Sequence, residues 1–291
     1  MKSILLKLSV LVFTLLLSSG LNENTTADVN AQEFQGKAYY FSKSKMELGN
    51  WGARLSEEQK KQVAARLKNR LEKTYVLTFN KEESMFKQEE KLDVDAMSGA
   101  TNSWGKNFSQ GNQYKNVKTN EQIQKQEFYG KQFLVKDNLQ PIEWDLHTET
   151  KQIGNYTCFK ATASLPTAEL TWYDFSWDRL SNGTQNETDE SEDVEIKEDT
   201  VEMTEIEAWY APQIPVRHGP SEYWGLPGLI LEVSAGNTTM LCSKIVMNPQ
   251  EKTKIEAPDK GKIVTKKEYN EIITEKMDEF RNNRGRGDNG R

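Results

Sequence analysis

Few residues in this chain are able to do nucleophilic or metal chemistry. Its 291 residues include two histidines, His147 and His218, and two cysteines, Cys158 and Cys242. Cys158 with either imidazole would make a thiol–imidazole pair, which needs a free thiol of low pKa within hydrogen-bond reach. All four together would suit zinc or copper, but spacings this wide carry no metal signature. Two cysteines in an oxidising compartment point to one disulfide, Cys158–Cys242. Closing a loop of that length stabilises a fold by about 4 kcal/mol if chain entropy governs, and would abolish the thiol pair. The alternative is two small buried side chains that never meet. The carboxylate pair Asp145 and Glu149 falls on a polar stretch, where solvation is the ordinary outcome. The sequence contains no Gly-x-Ser-x-Gly elbow, His-Glu-x-x-His helix or Walker loop. It offers no catalytic set, no metal site and no cofactor motif.

Charge and the first residues narrow the partners and the compartment. A net charge of -6 argues against the clustered Lys and Arg that phosphate neutralisation requires, so nucleic acid is not an expected partner. Lys2 and Lys7 flank the start of an apolar run over 8–17, which Ser18, Ser19 and Gly20 follow. That is the pattern of a secretory signal, with cleavage expected after residue 20 or after Ala31. The run is shorter than the ~20 apolar residues of a membrane-spanning helix. The first cysteine is Cys158, far from a lipoprotein position, so a periplasmic or secreted protein is expected. No later segment reads as a transmembrane helix.

One segment has an unusual composition. Residues 211–230 carry Pro212, Pro215, Pro220 and Pro227 with Gly219, Gly225 and Gly228. Proline removes a ladder donor, so this stretch predicts a stiff loop rather than a central strand. Pro227-Gly228 fits a type II turn. The loop carries Arg217, His218, Tyr223 and Trp224, the aromatic and cationic residue types found at interface hot spots. Displayed outward, they would dock a partner; turned inward, Tyr223 and Trp224 would fix the register of the following strand. The run Gly225, Leu226, Pro227, Gly228, Leu229, Ile230 resembles the GLPGLI family, whose name it spells. Ala208-Trp209-Tyr210, the Ile214-Pro215 and Gly219-Pro220 pairs, and the block 153–161 are similar to the family pattern as well. The resemblance covers about 128–246. It implies an exported envelope protein of Bacteroidetes-type bacteria and no established activity; the docking reading of the loop makes an envelope or outer-membrane protein the expected partner.

The elements around this loop read as mostly β. Period-two alternation predicts strands over 37–46, 75–79, around Met85 and Phe86, and over 124–129, 131–136, 142–146, 156–164 and 170–177. Further strands follow over 202–210 and 229–246, the last as a hairpin turning at Gly236. Gly130 suits a tight turn, and 148–151 reads as a polar turn. Ser56 and Gln59 make a capping box for a helix whose Val63, Leu67 and Leu71 form a narrow apolar stripe expected to pack on the sheet. Residues 93–112 read as a long loop. The stretch 187–207, with eleven carboxylates and one lysine, reads as a solvated insertion, set at about 181–200. A short helix is expected over 266–280 and a disordered end over 282–291.

The expected architecture is α+β and mostly β: one antiparallel curved sheet or open barrel packed on one N-terminal helix. The signal (1–31), a β-rich domain (32–250) and a charged tail (251–291) complete the organisation. A curved sheet leaves a concavity, so a lipophilic or peptide ligand is the second binding reading beside docking through 211–230.

Overall fold

The computed structural model describes residues 34–45, 54–89, 110–170 and 201–286. The expected signal, most of the 93–112 loop, the 171–177 part of a predicted strand, the acidic insertion and the last five residues lie outside them.

Twelve strands form one sheet. They are β1 (Gly36–Ser44), β2 (Glu72–Phe79), β3 (Glu83–Gln88), β4 (Gln113–Asn116), β5 (Glu121–Phe128), β6 (Lys131–Asn138), β7 (Asp145–Ile153), β8 (Tyr156–Pro166), β9 (Met203–Ala211), β10 (Leu229–Ala235), β11 (Thr238–Met247) and β12 (Lys262–Val264). The order across the sheet is β12-β6-β5-β4-β3-β2-β1-β11-β10-β9-β8-β7. Strand β1 is the seam, pairing β2 on one side and β11 on the other. Two meanders run outward from it. All pairings are antiparallel except the parallel β12–β6 contact. Turn residues set the hairpins: Tyr129 (φ 48°) and Gly130 (φ 75°) join β5 to β6, both in the left-handed region that a two-residue type I′ turn demands. Gly154 (φ 57°) turns β7 into β8, and Gly236 (φ 52°) turns β10 into β11.

Connectivity forces the sheet to curl. Ten interstrand steps separate β6 from β7 along the sheet, an arc of roughly 48 Å at ~4.8 Å per step. Yet the chain passes from Asn138 to Asp145 directly, and seven residues reach at most about 25 Å. The two ends of the sheet must therefore approach, as in an open barrel. This bears out the curved antiparallel sheet expected from the alternation.

The helices differ from expectation. Helix α1 (Glu57–Leu71) has the expected capping box, with Ser56 Oγ accepting from Gln59 N–H and Gln59 Oε1 accepting from Ser56 N–H. Among its described side chains none is buried, and Val63 is half-buried at most. Helix α2 is a single turn, Thr167–Leu170. The helix that packs on the sheet is α3 (Lys266–Arg286), at the other end of the chain. Its Tyr269, Ile273 and Met277, four residues apart, join Phe128, Phe133, Val135 and Val264 in a core of their own. Thr265 and Glu268 cap its start reciprocally, and Asp137 accepts from Lys266 N–H. The segment expected to be a charged tail thus completes the sheet through β12 and covers it through α3.

Two local expectations fail. Residues 148–151 are not a turn but part of edge strand β7, at a bulge between Leu146 and Thr150. Cys158 and Cys242 form no disulfide; both are free and buried. Strands β9 and β10 lie between them. Three interstrand steps of ~4.8 Å each set their backbones roughly 14 Å apart along the sheet, while both side chains belong to one core. A disulfide needs Cα atoms about 4.4–6.8 Å apart and converging Cβ vectors.

Candidate functional site

The loop 211–230 folds inward as a strap inside the curl. Ile214, Val216, His218, Tyr223, Trp224 and Leu226 are all buried. Backbone bonds knit the strap to itself and to the sheet: Ile214 N–H to Ala211 O, Leu229 N–H to Ile214 O, Gly225 N–H to Arg217 O and Ile230 N–H to His218 O. The four prolines fit because a strap needs few donors. Pro227 centres a three-residue γ-turn, with Gly228 N–H donating to Leu226 O at 2.9 Å, instead of the expected type II turn. Gly228 is required by proximity, since a Cβ there would lie 2.5 Å from the Ala211 carbonyl oxygen. Positive φ falls on Ser221 (49°) and Gly225 (101°) instead.

A buried lysine anchors the strap. Lys115 of β4 is fully buried, and its Nζ donates to the carbonyls of Gly219 (3.0 Å), Ser221 (2.6 Å) and Tyr223 (3.3 Å). Burial lowers its pKa to about 8, with the nearby Glu222 charge acting in opposition. Glu222 points back at the sheet and accepts from Gln113 Nε2 and Gln122 Nε2, each at 2.7 Å, with Lys266 Nζ of α3 at 3.7 Å. Gln110 Nε2 donates to Ser221 Oγ. The inner face here is polar: Ser84, Gln113, Lys115, Gln122, Gln124 and Gln126 are all buried. The other face of β3–β6 is apolar, with Met85, Tyr114, Ile123 and Leu134 packed under Ile255. Several inward atoms lack a hydrogen-bond partner: Ser84 Oγ, Gln113 Oε1, Gln124 Nε2 and Gln126 Nε2.

Of the two readings of the loop, the structure shows the inward one for three of its residues. Of its four candidate binding residues, His218, Tyr223 and Trp224 are buried, and Arg217 alone is exposed. Arg217 lies over the Trp224 ring at 5.8 Å and donates from Nε to Gly225 O. Trp224 Nε1 donates to Gln140 O, and Trp144 Nε1 to Trp224 O, so the 139–144 crossing is pinned to the strap. His218 sits beside Phe79, with ring centroids 6.4 Å apart, and burial with the adjacent Lys115 ammonium lowers its pKa to about 3. The motif Gly225–Ile230 closes the strap and delivers Leu229 and Ile230 into β10.

Nothing assembles the thiols into a nucleophilic site. Cys158 Sγ and Cys242 Sγ donate to the carbonyls of Tyr156 and Lys244, and burial pushes both thiols up to about 11. His147 Nε2 instead shares a hydrogen bond with Thr162 Oγ1 at 2.8 Å. Among the described residues no group of three or more His, Cys, Asp or Glu converges. A shallow polar depression of about 390 Å³ lies elsewhere, lined by Thr119, Glu121, Lys136, Asp137 and Asn138.

The sequence reading missed Lys115, Glu222 and the glutamines. Gln122, Gln124 and Gln126 alternate with Ile123, Lys125 and Glu127. Neither phase is apolar throughout, so the alternation could not say which faced inward.

Comparison with known proteins finds a likeness to one family over part of the chain. Residues 144–232, from the start of β7 into β10, match the family described as "Protein of unknown function (Porph_ging)". No curated protein matches. Two solved structures resemble the chain loosely. "Structure of PNGF-II in C2 space group" gives a TM-score of 0.45 at 14% identity over 82% of this chain and 32% of that one. "Structure of PNGF-II in P21 space group" gives 0.42 at 14% over 80% and 31%. The chain spans about a third of the length of those structures. Across β7 to β10 and the strap, it is similar to a family of unknown function.

Proposed function

We propose that this chain is an exported cell-envelope binding module of the GLPGLI type, which docks an envelope protein at the β7 edge beside the strap. The apolar run over 8–17 with its flanking lysines supports export, and the Gly225–Ile230 motif inside the family match supports the finer family. One observation carries the docking. The sheet ends at β7, nine residues of exposed or half-buried strand whose outer edge is unpaired among the described residues. An open edge is a row of unpaired N–H and C=O groups, the surface to which an extended segment adds as a further strand. Beside it stand Trp144, Leu146 (58% exposed) and Arg217 on its Trp224 platform.

The test is photocrosslinking from position 148 with affinity capture from intact envelopes, comparing wild type with Arg217→Glu and Leu146→Asp. Both changes lie on the surface and leave the strap's buried anchors in place. One envelope protein recovered with wild type and lost from both folded variants is the expected result. Equal capture by all three would remove the docking reading.

A further inference from the structure

The strap turns titratable chemistry inward, where a buried core has little use for it. His218 is 0% exposed, and no side chain hydrogen-bonds its ring, the Asn80 backbone carbonyl being the one polar group that favours its protonated form. The three carbonyls that hold Lys115 belong to Gly219, Ser221 and Tyr223, the residues just after it. The groups facing His218 are few. From β4 comes the Lys115 ammonium, whose charge acts on the ring. From β2 come the Phe79 ring and the Asn80 carbonyl, the latter the one feature favouring an imidazolium. From β10 comes Ile230, uncharged, whose N–H donates to His218 O. The strap itself contributes Tyr223 and Glu222, and the Glu222 carboxylate already serves Gln113, Gln122 and Lys266. A proton on His218 would therefore place two cations side by side in a dry site, with the nearby carboxylate already engaged.

We propose that residues 217–225 form an acid-operated cover over the glutamine-lined inner face of β4 and β5, released when His218 takes up a proton beside the Lys115 ammonium. Opening gives the imidazolium water and separates it from Lys115. It also uncovers Gln113, whose Oε1 lacks a partner in the closed form, and the adjoining Gln124 Nε2. These present an acceptor and a donor to whatever enters. The closed form resists protonation, with the ring held near 3, while an open one has the ordinary value of about 6.5. Proton linkage then favours opening by about tenfold per pH unit below about 6.

Hydrogen exchange of the full chain, read by mass spectrometry between pH 7.5 and 4.5 and corrected for intrinsic rates, tests this. Peptides spanning 214–228 should lose protection about tenfold per unit below pH 6, while β1 and β2 stay protected. His218→Gln and His218→Phe should flatten that dependence. If neither variant folds, nitrogen NMR of wild type still decides, because His218 has one other histidine to be told from. Its protonation should share a midpoint with strap exchange. Constant strap protection across the range would overturn the proposal. So would loss of protection simultaneous with β1 and β2, an unchanged slope in the variants, or a midpoint that does not match.

Discussion

At the scale of the residue, the inner face shows two kinds of buried polar group with opposite consequences. Lys115 satisfies three strap carbonyls at once, and removing it strands all three. Lys115→Met should cost about 3 kcal/mol or more in urea unfolding, because stranded buried acceptors lose roughly 1–3 kcal/mol each. Gln126 is the converse. Its Nε2 bonds to nothing in the closed structure, and its cross-strand partner is the buried Phe133. Gln126→Leu should leave stability unchanged or raise it by about 1 kcal/mol. A loss above 1 kcal/mol would mean that the amide has a partner in solution. None of this was legible in the sequence, where Lys115 belonged to no predicted element and the glutamines formed an alternation without an apolar phase. Arg217 was legible, as an exposed cation on a stiff loop. His218, Tyr223 and Trp224 were recognised as unusual, but residue type does not say which way a loop folds. Only the curl of the sheet, which gives the strap an interior to occupy, decides that.

At the scale of the element, periodicity found the strands and misjudged the helices. The hairpins at Gly130 and Gly236 were readable because a two-residue turn demands positive φ and glycine supplies it. The capping box of α1 was equally readable, yet a cap fixes where a helix starts and says nothing about where it packs. What seats a helix is the apolar area that it removes from water. Tyr269, Ile273 and Met277 give α3 three large buried side chains, whereas the described side chains of α1 reach half-burial at best. Mutations in the two should therefore differ sharply. Met277→Asp puts a carboxylate among Phe128, Phe133 and Val135 and should lower stability by about 3 kcal/mol or more. Val63→Ala should change it by less than about 1 kcal/mol. Comparable losses from both, in denaturant titrations on the full chain, would show that α1 is seated more firmly than its exposure indicates.

At the scale of the whole molecule, one curled sheet decides what the scattered reactive residues can do. Two strands stand between Cys158 and Cys242 and both thiols are buried, so native protein should be inert to thiol reagents and should release two thiols on denaturation. A release of none would restore the disulfide. The same interior makes stability depend on pH in two windows. His218 is held near 3 when folded and titrates near 6.5 when unfolded. Between those values the unfolded chain binds the extra proton, so this group's contribution is full above 6.5 and is lost as pH falls toward 3. Lys115 is held near 8 against an ordinary 10.5, so folding releases its proton in that interval and stability rises with pH from 8 to 10.5. A tenfold difference in proton affinity between the folded and unfolded chain amounts to about 1.4 kcal/mol, which puts either limb on the order of 3–5 kcal/mol at full extent. Melting temperatures of wild type should climb from pH 4 to 6.5, level, and climb again above 8. His218→Phe should flatten the lower limb and spare the upper, while Lys115→Met, though less stable throughout, should lose the upper limb and, without the ammonium beside His218, keep a shallower lower one. If His218→Phe keeps the acid slope of wild type, the carboxylates of the surface govern acid stability, and the imidazole under the strap is not the group that couples protons to this fold.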